Sequence, residues 1–447
     1  MVSQDSEWTG SRRRYVTTLG ALGAAGLAGC SSSGGGGGGG NDTDGGNESN
    51  GSGGSSGAPL ELLHGWLGGD GAAAVQALEQ DFKNKHPDMP VKFKGIGGGA
   101  NVSLNATITR RLANNNPMSS FANWPGKNLA RYEGALWDVE EQVWNAAGLK
   151  DKIHDATVEA CTVNGKMPAV PLGSHRMNNL FFNTKLFEEA GVDASSLDSV
   201  DALISALEKV NQNTDAAPMA QAMKAPWTNL QLFAQILTSQ SGVEAYTNFI
   251  EGNPDRAAIV DALESLKTIL TNYINDDSSS ISFTTANSKV ISGEAACIHQ
   301  GNWAYGMYRS DDSFNYKEDW DWVPFPGTEG MYFFHLDSFV VPKNNPTPEK
   351  SITWMKYVGS KDAQIAYNNP KGSVPLRTDV DPNELTDFLK MNYNHLLSAE
   401  QLPPTIAHGL AVTPETLGAC KSAFGNNFMG PFNVEKTADA LVDAVSS

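Results

Sequence analysis

Residues that could do covalent chemistry are few in this chain, and their surroundings argue against most of them. Gly53-Gly54-Ser55-Ser56-Gly57 spells the GxSxG of a serine nucleophile elbow. It sits inside a Gly/Ser tract with no strand pattern before it and no helix pattern after it, so nothing would hold the hydroxyl in a strained turn. Gly95-Ile96-Gly97-Gly98-Gly99-Ala100 spells GxGxxA behind a strand pattern, but no acidic residue stands about 20 positions on to hold a ribose. A flexible loop at the rim of a cleft is the expectation there. The eight histidines never fall as HExxH or HxH, which leaves a zinc hydrolase without local support. No metal and no cofactor are expected. His175 and His408 stand among small or apolar neighbours, a setting that suits a structural histidine as well as a ligand contact.

Three tryptophans are more informative. Trp66 follows the first strand pattern beside glycines, Trp124 follows Ser120-Phe121-Ala122-Asn123, and Trp227 stands at Ala225-Pro226-Trp227 ahead of a helix pattern. A large flat side chain in such a loop either caps a core or covers a ligand. The ligand whose apolar C–H faces and hydroxyl edges match an indole with nearby hydrogen-bonding groups is a sugar.

The elements that must position these residues alternate. Leu60–Leu63 reads as a strand, Val75, Leu78 and Phe82 mark one helix face, and Val91–Phe93 returns to a strand, which is a βαβ order. Further helix faces are Val200, Leu203, Ile204, Leu207; Leu230, Phe233, Leu237; and Ile259, Leu263, Leu266, Ile269. Leu180–Phe182, Ala295–Ile298 and Phe339–Val341 read as strands. The expectation is α/β lobes with largely parallel sheets and a site beyond the carboxyl ends of the strands.

With 447 residues, 40% of them hydrophobic, the body exceeds one ordinary core and predicts two lobes. The net charge is −18, and the acids are spread along the chain. That sign argues against nucleic acid as a partner and against an anionic membrane face for the folded body. It fits either a surface adapted to strong salt or simply an acidic protein. Cys161, Cys297 and Cys420 are far apart without CxxC spacing, which favours buried thiols and leaves one disulfide open.

At the amino end, Arg12, Arg13 and Arg14 precede an apolar run from Val16 to Gly29, too short to span a bilayer of about 30 Å. The pattern reads as an export signal. The arginine pair resembles a twin-arginine signal, and Leu27-Ala28-Gly29-Cys30 resembles a lipobox whose cysteine takes a lipid and becomes the mature amino terminus. Residues 31–57 are Gly, Ser, Asn, Asp and Thr almost throughout and predict a flexible tether about 30 Å in reach.

Several longer stretches resemble one family. They are Leu63-His64-Gly65-Trp66-Leu67-Gly68-Gly69-Asp70-Gly71, Val170-Pro171-Leu172-Gly173-Ser174-His175-Arg176-Met177-Asn178, and Gly293 to Ala304. Asp337-Ser338-Phe339, Lys371-Gly372-Ser373-Val374-Pro375-Leu376-Arg377 and Ala407-His408-Gly409 continue the series. In order and spacing these resemble the lipid-anchored sugar-binding proteins of ABC importers, in the glucose/mannose-binding branch. The resemblance implies a two-lobed periplasmic-binding-protein fold of α/β class, with a ligand cleft between the lobes. It implies residues 1–30 as signal with lipobox and 31–58 as tether. Residues 59–172 plus 324–342 would form the first lobe, and 173–323 plus 343–447 the second.

Trp66, Asp70, Trp227, Asp337, Lys371 and His408 match family positions that touch the sugar. Trp66 and Trp227 would stack on it, and the other four would hold hydroxyls. His175 and Arg176 would support the cleft wall or hinge. Trp124 stands where relatives have a pocket histidine, Asn302 where they have an aspartate, Asp70 where they have a glutamate, and Gly65-Trp66 where they have two tryptophans. These departures alter pocket volume and remove one carboxylate, changes that can redirect specificity and put glucose itself in doubt while a glucose-like sugar remains the expectation. The function implied is capture of a monosaccharide or small oligosaccharide, without catalysis, and delivery to a membrane permease. The protein would be a monomer on the outer face of the cytoplasmic membrane, anchored through Cys30. The alternative is a secreted glycoside hydrolase using Asp70 and Asp337 as a carboxylate pair.

Overall fold

The computed structural model describes residues 57–98 and 101–446. The export signal, Cys30 and nearly all of the tether lie outside the described residues. Among the described residues, no helix is long and apolar enough to cross a membrane.

Among the described residues, nine strands form two sheets. They are β1 (Leu60–His64), β2 (Val91–Gly95), β3 (Ser120–Asn123), β4 (Ala169–Arg176), β5 (Asn179–Asn183), β6 (Ala217–Met219), β7 (Ala295–Gln300), β8 (Trp320–Pro324) and β9 (Phe334–Val340). The first sheet runs β2-β1-β3-β9-β4 and the second β6-β7-β5-β8. The expected βαβ unit is present: β1 and β2 pair in parallel from Leu60↔Val91 to His64↔Gly95. The helix Asp70–Lys85 between them buries Ala74, Val75, Leu78 and Phe82 along one face.

The sheets are mixed rather than largely parallel. β9 enters the first sheet antiparallel to both β3 and β4, and β5 is antiparallel to both β7 and β8. The reason is connectivity. β4 leads straight into β5 and β8 into β9, so each of these chain segments leaves one sheet and enters the other without a returning helix.

Each sheet has its own core. Leu62, Phe121, Val170 and Phe339 pack in the first, together with Trp354, Tyr357 and Tyr367 from helices Pro348–Val358 and Lys361–Lys371. Assignment of everything after residue 343 to the second lobe is therefore corrected: these two helices bury their apolar faces against the first sheet. The second lobe has the cluster of Leu203, Leu237, Leu266 and Leu441 on one face of its sheet and Phe181, Ile298, Tyr308 and Trp320 on the other. Cys161, Cys297 and Cys420 are free thiols, all buried.

At the β4–β5 crossing, Asn178 Oδ1 accepts from Arg176 Nε at 3.0 Å and from the Phe333 amide at 3.2 Å, tying two crossing segments together. The third crossing follows Lys371. Gly372, at φ +83°, ends the helix Lys361–Lys371 in the left-handed region that glycine tolerates best, and Val374 then pairs with Ser174.

Candidate binding site

Beyond the carboxyl end of β1, a cavity of about 270 Å³ gathers residues from both halves of the fold. β1 stops at His64 and the loop to Gly69 carries Trp66, whose ring packs against Tyr367 and Phe339 at centroid distances of 5.1 and 5.9 Å. Gly71 makes this seat possible: a Cβ there would lie 2.8 Å from Trp66 Cβ. Asp70 opens the following helix and meets the Lys371 ammonium in an ion pair whose side chains are each only 7% exposed.

Asp337 stands on β9 at the centre of a hydrogen-bonded cluster. Its Oδ1 accepts from Trp124 Nε1 at 3.2 Å; its Oδ2 accepts from Tyr367 Oη at 2.8 Å and meets His175 Nε2 at 3.1 Å. Burial by itself would push this carboxyl upward. The bond from His175, with the charges of His175 and Lys371, more than reverses that and holds it well below the usual carboxylate range.

His335 lies two residues before Asp337, so the period of a strand puts both on one face, and the register sets His335 opposite His175 on β4. Both ring nitrogens of His335 and Nδ1 of His408 are buried without a partner among the described residues. Burial pushes His335 down to about 3. His408 is driven well below its usual value chiefly by burial. Both rings are thus neutral near pH 7, and each offers one donor and one acceptor nitrogen, the combination a hydroxyl needs.

Apolar walls complete the site. Trp227, at the start of the helix Trp227–Ile250, packs on His408 and Phe283 at 5.3 and 5.8 Å. Trp303 packs on His175 at 5.3 Å and is fixed by Nε1 donating to Gln300 Oε1 at 2.9 Å.

Trp66, Asp70, Trp124, Trp227, Asp337, Lys371 and His408, read from the sequence as contacts, all line this cavity, as does His175. Gly97 and Gly98 line it too, as expected of a rim loop. Asn302 does not: it stands behind His175, with Oδ1 2.8 Å from Nδ1 of that ring. Arg176 faces the crossing, where its guanidinium lies 4.8 Å from the Trp322 ring and donates to Met331 O. Lys371 comes from a helix packed on the first sheet, so its assignment to the second lobe is also corrected. Trp303 and His335 were missed as contacts. A larger groove of about 840 Å³, lined by Tyr132, Lys166 and Phe334 among others, holds none of the expected residues.

Residues 77–394 match the model of a family described as bacterial extracellular solute-binding protein, and the chain belongs to it. Among named relatives, it is 73% identical over 387 residues to the xylose/arabinose-binding protein XacG of Haloferax volcanii, covering 87% of this chain and 84% of that one. An uncharacterized ABC transporter extracellular-binding protein of Pyrococcus horikoshii is 28% identical, covering 86% and 87%. A solved chitin oligosaccharide binding protein superposes with a TM-score of 0.75 over 87% of this chain and 98% of its own, at 20% identity, a likeness of fold.

Proposed function

We propose that this chain captures a pentose, xylose or arabinose, outside the cell and delivers it to the permease of an ABC importer without covalent chemistry. The observation that carries the reading is the pairing of tryptophan walls with buried, unpartnered histidine nitrogens in a cavity of about 270 Å³. The relative at 73% identity is named for these two pentoses.

Trp66 and Trp227 stack on the ring; Asp70, Asp337, Lys371 and His408 take its hydroxyls. Trp124 narrows the pocket in a way that favours a five-carbon sugar over glucose. Asn302 acts through His175, and Arg176 stiffens the crossing. Trp227 and Trp303 pack in the second lobe's core and Trp66 on the first, so a sugar touching both favours closure. The lobes divide at the three crossings, with 348–371 in the first. Export by a twin-arginine signal, a lipid on Cys30, a monomeric state at the outer face of the cytoplasmic membrane and a salt-adapted acidic surface belong to the same reading.

The hydrolase alternative finds little support. Such an enzyme needs a protonated carboxyl as its acid, whereas Asp337 is held strongly ionised and Asp70 is tied to Lys371.

Calorimetric titration of the exported chain at high salt with D-xylose, L-arabinose and D-glucose tests the proposal. Saturable binding of a pentose tighter than glucose is expected, with xylobiose returned intact after incubation. Absence of binding to both pentoses would sink it.

A further inference from the structure

A second cavity, of about 490 Å³, adjoins the first across Trp124, which lines both. It lies between helix Val102–Ala113, the turn 126–132 and helix Pro414–Ala423, so its walls come from elements whose other faces pack into the two lobes' cores. Three cations line it, Arg110, Arg131 and Lys421, and no acidic side chain of the described residues does.

In a chain with 50 acids against 32 bases, an acid-free wall with three cations is anomalous. The charged ends of Arg110 and Lys421 have no hydrogen bond or ion pair among the described residues, and Arg131 donates only to Asn128 Oδ1, at 3.3 Å. Lys421 is half-buried. Burial, and then the charge of Arg131, push its ammonium down to about 8, the direction taken when a cation has cationic neighbours and no counter-ion. Thr109 and Asn128 add polar groups to the same wall.

We propose that this groove binds an anion that bridges Arg110 and Arg131 of the first lobe to Lys421 of the second. Left empty, the closed form brings like charges together. Filled, it gains charge-assisted hydrogen bonds from both sides, so anion and sugar each favour closure and each tightens the other. The negative charge has two sources: a free small anion, or the carboxylate of an acidic sugar reaching past Trp124. The inference goes beyond the pentose reading: the anion site does not require it, whereas the coupling to sugar rests on it.

The chloride NMR linewidth of the sugar-free chain reads the site directly. Wild type is expected to broaden the line saturably, and Lys421→Gln and Arg110→Gln to abolish most of that broadening while unfolding cooperatively like wild type. Arg110 is exposed, so its substitution does not endanger the core. Equal broadening in all three proteins, or none in wild type, overturns the proposal. A D-xylonate titration separates the sources: displacement of chloride from wild type assigns the site to sugar carboxylates as well, and retention of chloride assigns it to the free ion. For the coupling, D-xylose affinity in wild type should rise at least about fivefold from gluconate to chloride at fixed ionic strength, and stay flat in Lys421→Gln. A flat response in wild type despite chloride binding overturns the bridging of lobes. If xylose does not bind at all, the linewidth result stands unaffected.

Discussion

His175 Nε2 lies 3.1 Å from Asp337 Oδ2, with the two side chains only 2% and 3% exposed. Three donors, Trp124, Tyr367 and His175, converge on one carboxylate. Asp337→Asn replaces an acceptor oxygen with an N–H₂ facing donors. Leaving buried groups unpaired costs about 1–3 kcal/mol each. A fall in pentose affinity of at least about a hundredfold in calorimetry is expected, with far-UV circular dichroism unchanged. An affinity within twofold of wild type would count against the assignment.

The Asp70–Lys371 pair makes a separate, double-mutant prediction. Removing one partner strands a buried charge and should destabilise by about 3–5 kcal/mol, whereas Asp70→Leu with Lys371→Met should recover most of that. Pentose binding is expected to be lost in the singles and the double alike. Chemical denaturation and calorimetry on the four proteins check both halves.

Gly306 belongs to the short helix Trp303–Tyr308, which packs with the second sheet. A Cβ on it would lie 2.7 Å from Lys371 O and 2.8 Å from Asp70 Cβ, both on helices of the first lobe. Gly306→Ala should therefore prop the lobes apart without harming either core. We expect pentose affinity to fall about tenfold or more, a loss of about 1.4 kcal/mol, and the scattering radius no longer to contract on adding sugar.

Buried histidines set the acid limit of stability. His299 and His335 are each held by burial near about 3, against about 6.5 in the unfolded chain. Above pH 6.5 neither state binds these protons and stability is unaffected. Below it only the unfolded state does, so stability falls as pH drops toward 3, by about 1.4 kcal/mol per unit per histidine. Melting midpoints at pH 7, 6, 5 and 4.5 should fall by growing steps, and His299→Gln should remove one proton's worth of that pH dependence.

Cys30→Ser should release the protein from membranes into the medium while pentose binding persists. Fractionation of expressing cells reads the first outcome and titration of the released chain the second. Retention at the membrane would return the apparent lipobox to coincidence.

What could be read in the sequence was mostly local. Helix Asp70–Lys85 announces itself by Val75, Leu78 and Phe82, and Trp66 and Trp227 by standing as large flat side chains at the ends of elements. What could not be read depends on distant return of the chain. The antiparallel entry of β9 joins Val340 to Ser120, 220 residues apart, and no pattern within Phe334–Val340 reveals its neighbours. The same limit hid the attachment of helices Pro348–Val358 and Lys361–Lys371 to the first sheet. His335 was within reach, because it shares a strand face with Asp337. Trp303 was not, because nothing in Gly301-Asn302-Trp303 tells which way the chain turns after β7.

The position of β9 also dictates an order of events at the ribosome. It sits between β3 and β4, so the first sheet stays split until residues 334–340 have emerged, after the whole second sheet. Helices Pro348–Val358 and Lys361–Lys371, which seal that core, come later still. The amino-terminal half therefore cannot complete its fold until the segment through Lys371 has emerged, and a chain with so many distant contacts matures slowly. During that interval the apolar edges of β3 and β4 are open to aggregation, and holding them apart is a task for chaperones before it is one for the folded protein.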